Sequence, residues 1–251
     1  MTLSLARFRF LAVAFLHVRD SHYIYTDIPL CLALVVAELA ILNIYDRGSL
    51  KDYIWAGALV GLCASLKYNA ALVGGSYLLA HLLRKSSWKE KLSPGPFLAG
   101  VAACFAVFLI TNPFALLDFS FFCRSFAAQG RAQGFVGWMH HLSYSLVGGI
   151  GGYALVAALV GIVLSFYLKN KRAWILLGFL TPFYLGITCF GQVHDRYVLP
   201  LIPFLAVFLG LFAEWTLQTA GERWRKWLAA AFAAAFLFPM LIKSAYSDWL
   251  F

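Results

Sequence analysis

The stretch HVRDSHYIYTDIPLCLALVVAELAIL, residues 17–42, joins a charged segment to a long apolar run. Another apolar run, FLAVAFL at residues 10–16, comes directly before it. His, Arg and Asp side chains are therefore concentrated between two segments that avoid water. Apolar runs of this kind are typical of membrane-embedded helices, so we expect residues 17–27 to lie at a membrane surface.

The composition of the whole chain places it in a lipid bilayer. Of the 251 residues, 62% are hydrophobic, 17% are aromatic and only 12% are charged, which is far from the usage of a soluble domain. The formal net charge of +9 could indicate nucleic-acid binding, but Lys and Arg occur in short clusters between apolar runs. We therefore predict an all-α polytopic membrane protein that contacts membrane lipid and has no nucleic-acid partner.

Nine apolar segments predict the helices of this protein. A spanning helix needs about 20 mainly apolar residues, and the longer segments meet that requirement. The expected fold is a single transmembrane domain over residues 1–251, a bundle of about nine transmembrane or partly spanning helices. The segments are residues 3–17, 28–45, 53–66, 70–83, 96–111, 146–168, 173–190, 197–215 and 227–242.

Residues 53–66 and 70–83 are too short to span a bilayer and predict a short hairpin. At about 1.5 Å per residue, each arm covers only about 21 Å. The tip, Lys67-Tyr68-Asn69, is then expected within the depth of the membrane. An ionisable group at that depth must face protein or a water-filled cavity, so Lys67 is a candidate functional residue.

The distribution of Lys and Arg between alternate loops predicts the orientation of the chain. Positively charged loops stay on the cytoplasmic side of a membrane. With a cytoplasmic N-terminus, one side carries fourteen of the Lys and Arg residues and the other carries six, so the side with fourteen is predicted to be inside. The outer six are Arg19, Lys67, Arg124, Arg131, Arg196 and Lys243, and the inner fourteen include Arg7, Arg9 and Lys89.

Three predicted outer segments each carry a cation beside aromatic residues. Arg19 lies in the opening stretch, Lys67 lies at the hairpin tip, and Arg196 precedes the apolar run YVLPLIPFLAVF. Cations at a membrane boundary suit a phosphate that is carried on a lipid, because a phosphate accepts strong charge-assisted hydrogen bonds. The charge pattern therefore predicts a phosphate site on the outer face.

Four motifs in one order resemble the polytopic GT-C glycosyltransferases, and in particular their protein mannosyltransferase-like and aminoarabinose transferase-like branch. Together they cover most of residues 17–210. The motifs are HVRDSHYIYTDIPL at 17–30, AGALVGLCASLKYNAALV at 56–73, NPFALLD at 112–118 and RYVLPLIPFLAVF at 196–208.

The resemblance implies an integral membrane glycosyltransferase. Such an enzyme moves a sugar from a polyprenyl-phosphate carrier to a glycan, lipid or protein acceptor on the outer face of the membrane. It implies a multi-pass protein of the plasma (inner) membrane with the active face outward. Neither the sugar nor the acceptor follows from the motifs, and a divalent metal is an additional candidate cofactor.

The resemblance and the charge pattern together give a set of candidate site residues. Asp27 is the expected catalytic residue, which orients the acceptor hydroxyl or assists a metal. No metal ligands are assigned, since the adjacent His140 and His141 have no acidic or Cys neighbour and favour an interfacial loop. The expected substrate-binding residues are Arg19, His22, Lys67, Tyr68, Asp118 and Arg196.

Residues 112–145 form the large outer loop that the resemblance implies. The segment contains FSFFCRSF and GFVGWMHHLSY, which are rich in aromatic residues and accompanied by Arg124 and Arg131. Apolar and cationic side chains together suit a segment that lies along the membrane surface. We expect this loop to cover the carrier lipid.

The sequence lacks a counterpart of the acidic motif that the family carries in its first outer loop. We therefore expect a fragment without the first helix and first outer loop, inactive by itself. A degenerate member or a non-catalytic membrane scaffold is the alternative. A transporter is less favoured, because no inverted repeat or matching pair of Gly/Pro-broken segments is visible.

Several of the candidate residues also have structural interpretations. Asp27 precedes Ile28-Pro29 and could cap the following helix. Arg19 and His22 could be interfacial groups that reach the membrane surface, and Arg196 could anchor the membrane edge in a pair with Asp195. Asp118 could order the start of the large outer loop.

Overall fold

The computed structural model describes residues 10–87, 90, 91, 93–129, 134–187 and 194–250. Every regular element in these ranges is helical. The described residues do not include Arg7, Arg9, Lys89 and Arg131, nor residues 3–9 of the first predicted helix. The all-α fold that the apolar pattern predicts is confirmed.

The described part of the chain contains fourteen α-helices, with two 3₁₀ and two π segments between them. The 3₁₀ segments are Tyr68–Val73 and Asp195–Leu201, and the π segments are His141–Leu146 and Ala233–Leu237. The helices are α1 (Phe15–Ser21), α2 (Asp27–Asp46), α3 (Leu50–Leu66), α4 (Gly74–Leu83), α5 (Pro94–Thr111), α6 (Phe114–Leu117), α7 (Phe119–Gln129), α8 (Gly134–His140), α9 (Val147–Ile150), α10 (Gly152–Tyr167), α11 (Lys171–Gly186), α12 (Ile202–Thr219), α13 (Glu222–Phe232) and α14 (Phe238–Leu250).

The chain divides into two compact units. The first unit consists of Met1–Ile28, Val136–Ala173 and Val193–Phe251, and the second consists of Pro29–Phe135 and Trp174–Gln192. The first unit therefore contains the opening charged stretch and the C-terminal helices. The second unit contains the predicted hairpin and helices α5 to α7.

Four helical stretches in the described part of the chain are long and apolar enough to cross a membrane. They are Asp27–Asp46, Pro94–Thr111, Asp195–Thr219 and Glu222–Tyr246, and a bent pair makes five if it counts as one span. The remaining apolar helices are shorter, as the hairpin prediction anticipates for α3 and α4. A polytopic membrane protein is the class of protein that these helices define.

The bent pair corrects one predicted helix. The apolar pattern predicts a continuous helix over 146–168, whereas the structure turns by 111° between residues 136–150 and 152–167. Gly151 lies at the turn with a φ of 87°, a backbone conformation that side-chain-bearing residues rarely adopt. Hydrophobicity alone does not reveal the turn because both arms are apolar.

The predicted hairpin is present, with sharply defined ends in its first arm. Helix α3 begins after Ser49, whose hydroxyl and backbone amide exchange hydrogen bonds with Asp52 in a capping box. It ends at Leu66, and the backbone is extended at Lys67 before the 3₁₀ segment Tyr68–Val73. The break at Lys67 agrees with the prediction, although the second arm starts as a 3₁₀ turn and becomes α-helical only at Gly74.

Helices α3 and α5 pack closely in the second unit through small residues. Gly57 and Gly61 are four residues apart and thus share one face of α3. A Cβ on Gly57 would overlap the backbone of Gly100, and a Cβ on Gly61 would overlap the backbone of Cys104. This is the close backbone approach that the GxxxG pattern permits between membrane helices.

The first unit uses the same device between α10 and α12. A Cβ on Gly161 would overlap the backbone of Phe208, so the two helices touch at that point. Phe208 is fully buried, as are Ala158 and Ile202 on the same helices. The packed pair supports the 3₁₀ segment that carries Asp195 and Arg196, since that segment continues directly into α12.

Candidate functional site

Arg19 is held by the carboxylate of its neighbour Asp20. The guanidinium donates from Nε to Asp20 Oδ1 at 2.8 Å and from Nη2 to Asp20 Oδ2 at 3.3 Å. Asp20 is only 2% exposed, so water does not stabilise its negative charge and the ion pair with Arg19 must do so. Both residues lie on α1, the short helix that carries the opening charged stretch.

A second carboxylate, Asp195, approaches Arg19 from a distant part of the sequence. Its Oδ2 lies 3.9 Å from Arg19 Nη1, while its Oδ1 accepts a hydrogen bond from Ser145 Oγ at 3.0 Å. The hydroxyl of Ser145 is in turn 3.2 Å from Nδ1 of the fully buried His141. A chain of polar contacts therefore runs from His141 through Ser145 and Asp195 to Arg19.

The π segment His141–Leu146 supplies two members of this chain. His141 and Ser145 are four residues apart and face the same side of the helix, with His141 Nδ1 3.2 Å from Ser145 Oγ. π segments inside α-helices occur frequently at functional sites. The expectation of a plain interfacial loop at His140-His141 is therefore wrong for His141, which is buried and bonded.

Lys243 on α14 joins the same group of residues. Its Nζ donates to the backbone carbonyl of Gly148 at 2.6 Å and lies 4.0 Å from the ring centroid of Phe15. Phe15 also lies beneath Arg19, whose Cζ is 5.8 Å from the same centroid. The aromatic face thus accommodates two cations, as cation–π attraction allows.

These side chains surround a cavity in the first unit with a volume of about 330 Å³. Two cations and one carboxylate line it, together with hydroxyl groups and apolar surface. Such a lining suits a small anionic group attached to an apolar body. The charged and hydroxyl-bearing lining residues are Arg19, Lys243, Asp195, Ser143, Tyr144 and Ser145.

Arg196 lies beside an aromatic ring of the opening stretch. Its Cζ is 4.4 Å from the ring centroid of Tyr25, and Tyr25 stacks on Tyr23 with centroids 5.5 Å apart. The sequence interpretation paired Arg196 with Asp195 at the membrane edge. In the structure the Asp195 carboxylate lies near Arg19, while the Arg196 guanidinium lies over Tyr25. Neighbouring residues of a 3₁₀ segment project in different directions, so the two side chains have different partners.

The remaining members of the opening stretch differ sharply in exposure. Asp27 is 3% exposed and lies in the first turn of α2, where the helix dipole favours a carboxylate. His22 is exposed, with Nδ1 3.0 Å from the carbonyl oxygen of Val18. Burial lowers the pKa of His17, and the nearby Asp20 carboxylate opposes that shift.

Lys67, Tyr68 and Asp118 belong to the second unit. The Tyr68 ring packs against Phe108, Phe122 and Phe126, with centroids 6.2, 5.3 and 6.3 Å away. It also lines an apolar cavity of about 470 Å³ between α3, α4 and α5, to which Tyr77 and Cys104 contribute. The cavity lies beside the break in the hairpin.

Asp118 orders the start of helix α7. Its Oδ1 accepts hydrogen bonds from the backbone amide of Phe121 at 3.1 Å and from Ser120 Oγ at 3.2 Å. This is the geometry of an N-terminal cap. The structural interpretation of Asp118, that it orders the start of the predicted outer loop, agrees with these bonds.

The structure gathers Arg19 with residues that were absent from the predicted site, among them Asp195, Ser145, His141 and Lys243. Lys243, Ser145 and His141 lie in segments with no motif behind them, and the orientation count indicated only that Lys243 is on the same side as Arg19. The substrate-binding roles of the predicted residues stay predictions. Among the described residues, no group of three His, Cys, Asp or Glu side chains could hold a metal ion.

Comparison with known families supports a glycosyltransferase of the GT-C type. Residues 2–111 match the sequence profile of the dolichyl-phosphate-mannose-protein mannosyltransferase family. The matched region includes the opening stretch and the hairpin but not the motifs at 112–118 and 196–208, and it is a little under half of the 251 residues. No curated protein and no solved structure matches the chain.

The match confirms the resemblance that the motifs indicate. Over residues 2–111 the chain is similar to a protein mannosyltransferase, and several of its apolar helices are long enough to span a bilayer. A lipid-linked sugar donor and an acceptor are the general partners of such a protein.

Proposed function

We propose that this protein transfers a sugar from a polyprenyl-phosphate carrier to an acceptor on the outer face of the plasma (inner) membrane. The observation that carries the proposal is the cavity that Arg19, Asp195 and Lys243 line in the first unit. A lipid phosphate needs cationic donors next to apolar surface, and this cavity offers both. The family match at residues 2–111 supports the reaction class.

In the proposed reaction, an acceptor hydroxyl attacks the anomeric carbon of the lipid-linked sugar. The new bond joins the acceptor oxygen to that carbon, while the bond from the same carbon to the phosphate oxygen breaks. The polyprenyl phosphate leaves as an anion, and cations at the site stabilise the charge that develops on it. The proton of the acceptor hydroxyl passes to a carboxylate.

Asp27 is our candidate for a carboxylate that meets the acceptor. It is buried at the start of α2 and lies in the same unit as Arg19. A residue in that role must come within about 2.6–3.2 Å of the hydroxyl, directly or through one water. No step is assigned to a metal, since the described His, Cys, Asp and Glu side chains form no group of three around one point.

Replacement of Asp27 by Asn tests this role. Asn fills the same space and caps a helix equally well, but it does not accept the proton. We expect Asp27→Asn to lower sugar transfer by about 10²-fold or more, the low end for lost acid–base assistance. The assay follows transfer from a radiolabelled polyprenyl-phosphate sugar in membranes reconstituted with the full-length gene product.

Asp46→Asn is the matched control, because Asp46 ends the same helix and is exposed. Near-normal transfer by Asp27→Asn would make Asp27 a structural residue. Absence of both transfer and carrier binding in the unmodified protein would favour the non-catalytic scaffold instead.

A further inference from the structure

Lys243 differs from Arg19 in the partners that hold it. Arg19 already contacts two carboxylates, Asp20 at 2.8 Å and Asp195 at 3.9 Å. Lys243 contacts a backbone carbonyl and an aromatic ring, and none of the described carboxylates comes within 4.0 Å of its Nζ. An anion that enters the cavity must displace Asp20 and Asp195 from Arg19, whereas Asp195 attracts Lys243 only from beyond the 4.0 Å distance of an ion pair.

The donor capacity of Lys243 points the same way. An ammonium group carries three N–H donors, and the carbonyl of Gly148 uses one of them. The cavity beside Lys243 also has room, since a Cβ built on Gly148 would meet no atom within 4 Å. Unused donors therefore lie next to open space.

The location of Lys243 in the chain argues for a role. It lies within Glu222–Tyr246, a stretch apolar enough to span a membrane. A lysine in such a segment carries a desolvation cost and by default indicates a functional site. A lysine that only reached for the membrane surface would extend away from the protein, whereas Lys243 Nζ bonds to Gly148 at the cavity wall.

We propose that Lys243 binds the phosphate of the polyprenyl carrier in this cavity. The proposal rests on the proposed function and adds a residue from the C-terminal helix, outside the region that the family profile matches. Arg19, held by Asp20 and Asp195, lines the same cavity. Apolar surface at Phe15 and Leu16 adjoins the bound head group.

The test is a binding measurement on the purified full chain in lipid nanodiscs, with polyprenyl monophosphate as the probe. We expect Lys243→Met to weaken binding about tenfold or more, since hydrogen bonds to charged groups are of that strength. Lys243→Arg keeps the charge and should retain most of the affinity. Lys226→Met is the matched control, because Lys226 is exposed on α13, on the predicted inner side.

Two further probes separate the phosphate from its surroundings. Polyprenol, which lacks the phosphate, should bind the unmodified protein and Lys243→Met equally. A loss of polyprenol binding in Lys243→Met would mean that Lys243 only supports packing, and it would overturn the proposal. Competition by inorganic phosphate would support recognition of the head group without the polyprenyl chain. If phosphatidylglycerol competed as strongly as polyprenyl monophosphate, Lys243 would be a general lipid contact and the proposal would be overturned.

A second variant tests the cavity without a change of charge. Gly148→Leu places a side chain into the open space next to Lys243 and should weaken carrier binding by about the same factor as Lys243→Met. Unchanged affinity in both variants would overturn the assignment of Lys243. The proposed function would still stand in that case, provided that the unmodified protein binds the carrier. Failure of the unmodified protein to bind the carrier would instead refute the proposed function.

Discussion

Both compact units bring helices together through glycines, but their cavities are lined by different kinds of side chain. In the first unit, charged and hydroxyl-bearing side chains form a connected group around a cavity of about 330 Å³. In the second unit, glycines bring helix backbones together and the larger cavity, about 470 Å³, has an almost wholly apolar wall. The polar group around the first cavity depends on the pairing of charges, whereas the helix contacts at Gly57 and Gly61 depend on the absence of a side chain.

The charged cavity of the first unit and the glycine contacts of the second unit are subject to different physical constraints. A buried charge is costly unless it is paired, so each member of the first group depends on its neighbours. A helix contact through glycines carries no such requirement, but it tolerates no added volume. Variants in the two units should therefore fail for different reasons.

The largest expected effect is the loss of Arg19. Arg19→Met removes the partner of Asp20, which is 2% exposed, and leaves an unpaired buried carboxylate. We expect the free energy of unfolding to fall by about 3 kcal/mol, the lower end for a broken buried pair because Arg19 is itself 28% exposed. Denaturant titration in mixed micelles measures the change.

Arg223→Met is the control for this variant, since Arg223 is exposed and its Cζ lies 6.0 Å from the ring centroid of Trp224. A surface substitution of that kind should change stability by about 0.5 kcal/mol at most. Equal effects of the two substitutions would show that the ion pair of Arg19 stabilises the protein no more than an exposed surface charge does.

A smaller effect is expected from added volume in the second unit. In Gly61→Ala, the new Cβ would overlap the backbone of Cys104 and force α3 and α5 apart. We expect a loss of about 2 kcal/mol, within the usual range for an overpacked contact. The same titration gives the value.

Gly95→Ala is the same chemical change at an open position of α5, where a Cβ meets nothing within 4 Å. It should be neutral or slightly stabilising, by up to about 1 kcal/mol, because Ala favours a helix over Gly. If Gly61→Ala behaved in the same way, the close approach of α3 and α5 would not matter for stability.

Ser145→Ala should have a moderate effect in the first unit. It removes the donor to Asp195 Oδ1 and leaves Nδ1 of buried His141 without its 3.2 Å neighbour. The expected cost is about 1 kcal/mol, typical of one lost hydrogen bond. Ser143→Ala provides the comparison, since Ser143 is exposed and donates to the carbonyl of Met139, one turn earlier. A similar loss of stability there would contradict the polar chain.

The smallest effect is expected at Asp118 in the second unit. Asp118→Ala removes the cap of α7 and should cost about 0.5–1 kcal/mol, whereas Asp118→Asn should keep the cap and the stability. Carrier binding by Asp118→Asn then separates capping from substrate binding. Weaker binding at unchanged stability would support the predicted substrate contact, and unchanged binding would leave Asp118 as a cap.

Much of the fold follows from the sequence because its causes are local. The apolar run that begins at Ile28 predicts α2 within one residue, and the short arms around Lys67 predict a break that the structure contains. The Gly57-x-x-x-Gly61 spacing was also present in the sequence and indicates a close helix contact, although composition and charge did not direct attention to it. The turn at Gly151 was missed because hydrophobicity is the same on both sides.

The site was only partly predictable, because its contacts join distant segments. The sequence determined that this is a helical membrane protein with Arg19 and Asp27 at the mouth of an apolar helix, since length, hydrophobicity and charge act within one segment. Only the tertiary structure decided which groups meet: Ser145 reaches Asp195 over 50 residues and Lys243 reaches Gly148 over 95. Such pairs depend on how helices turn and pack, and the pattern of any single helix does not contain that information.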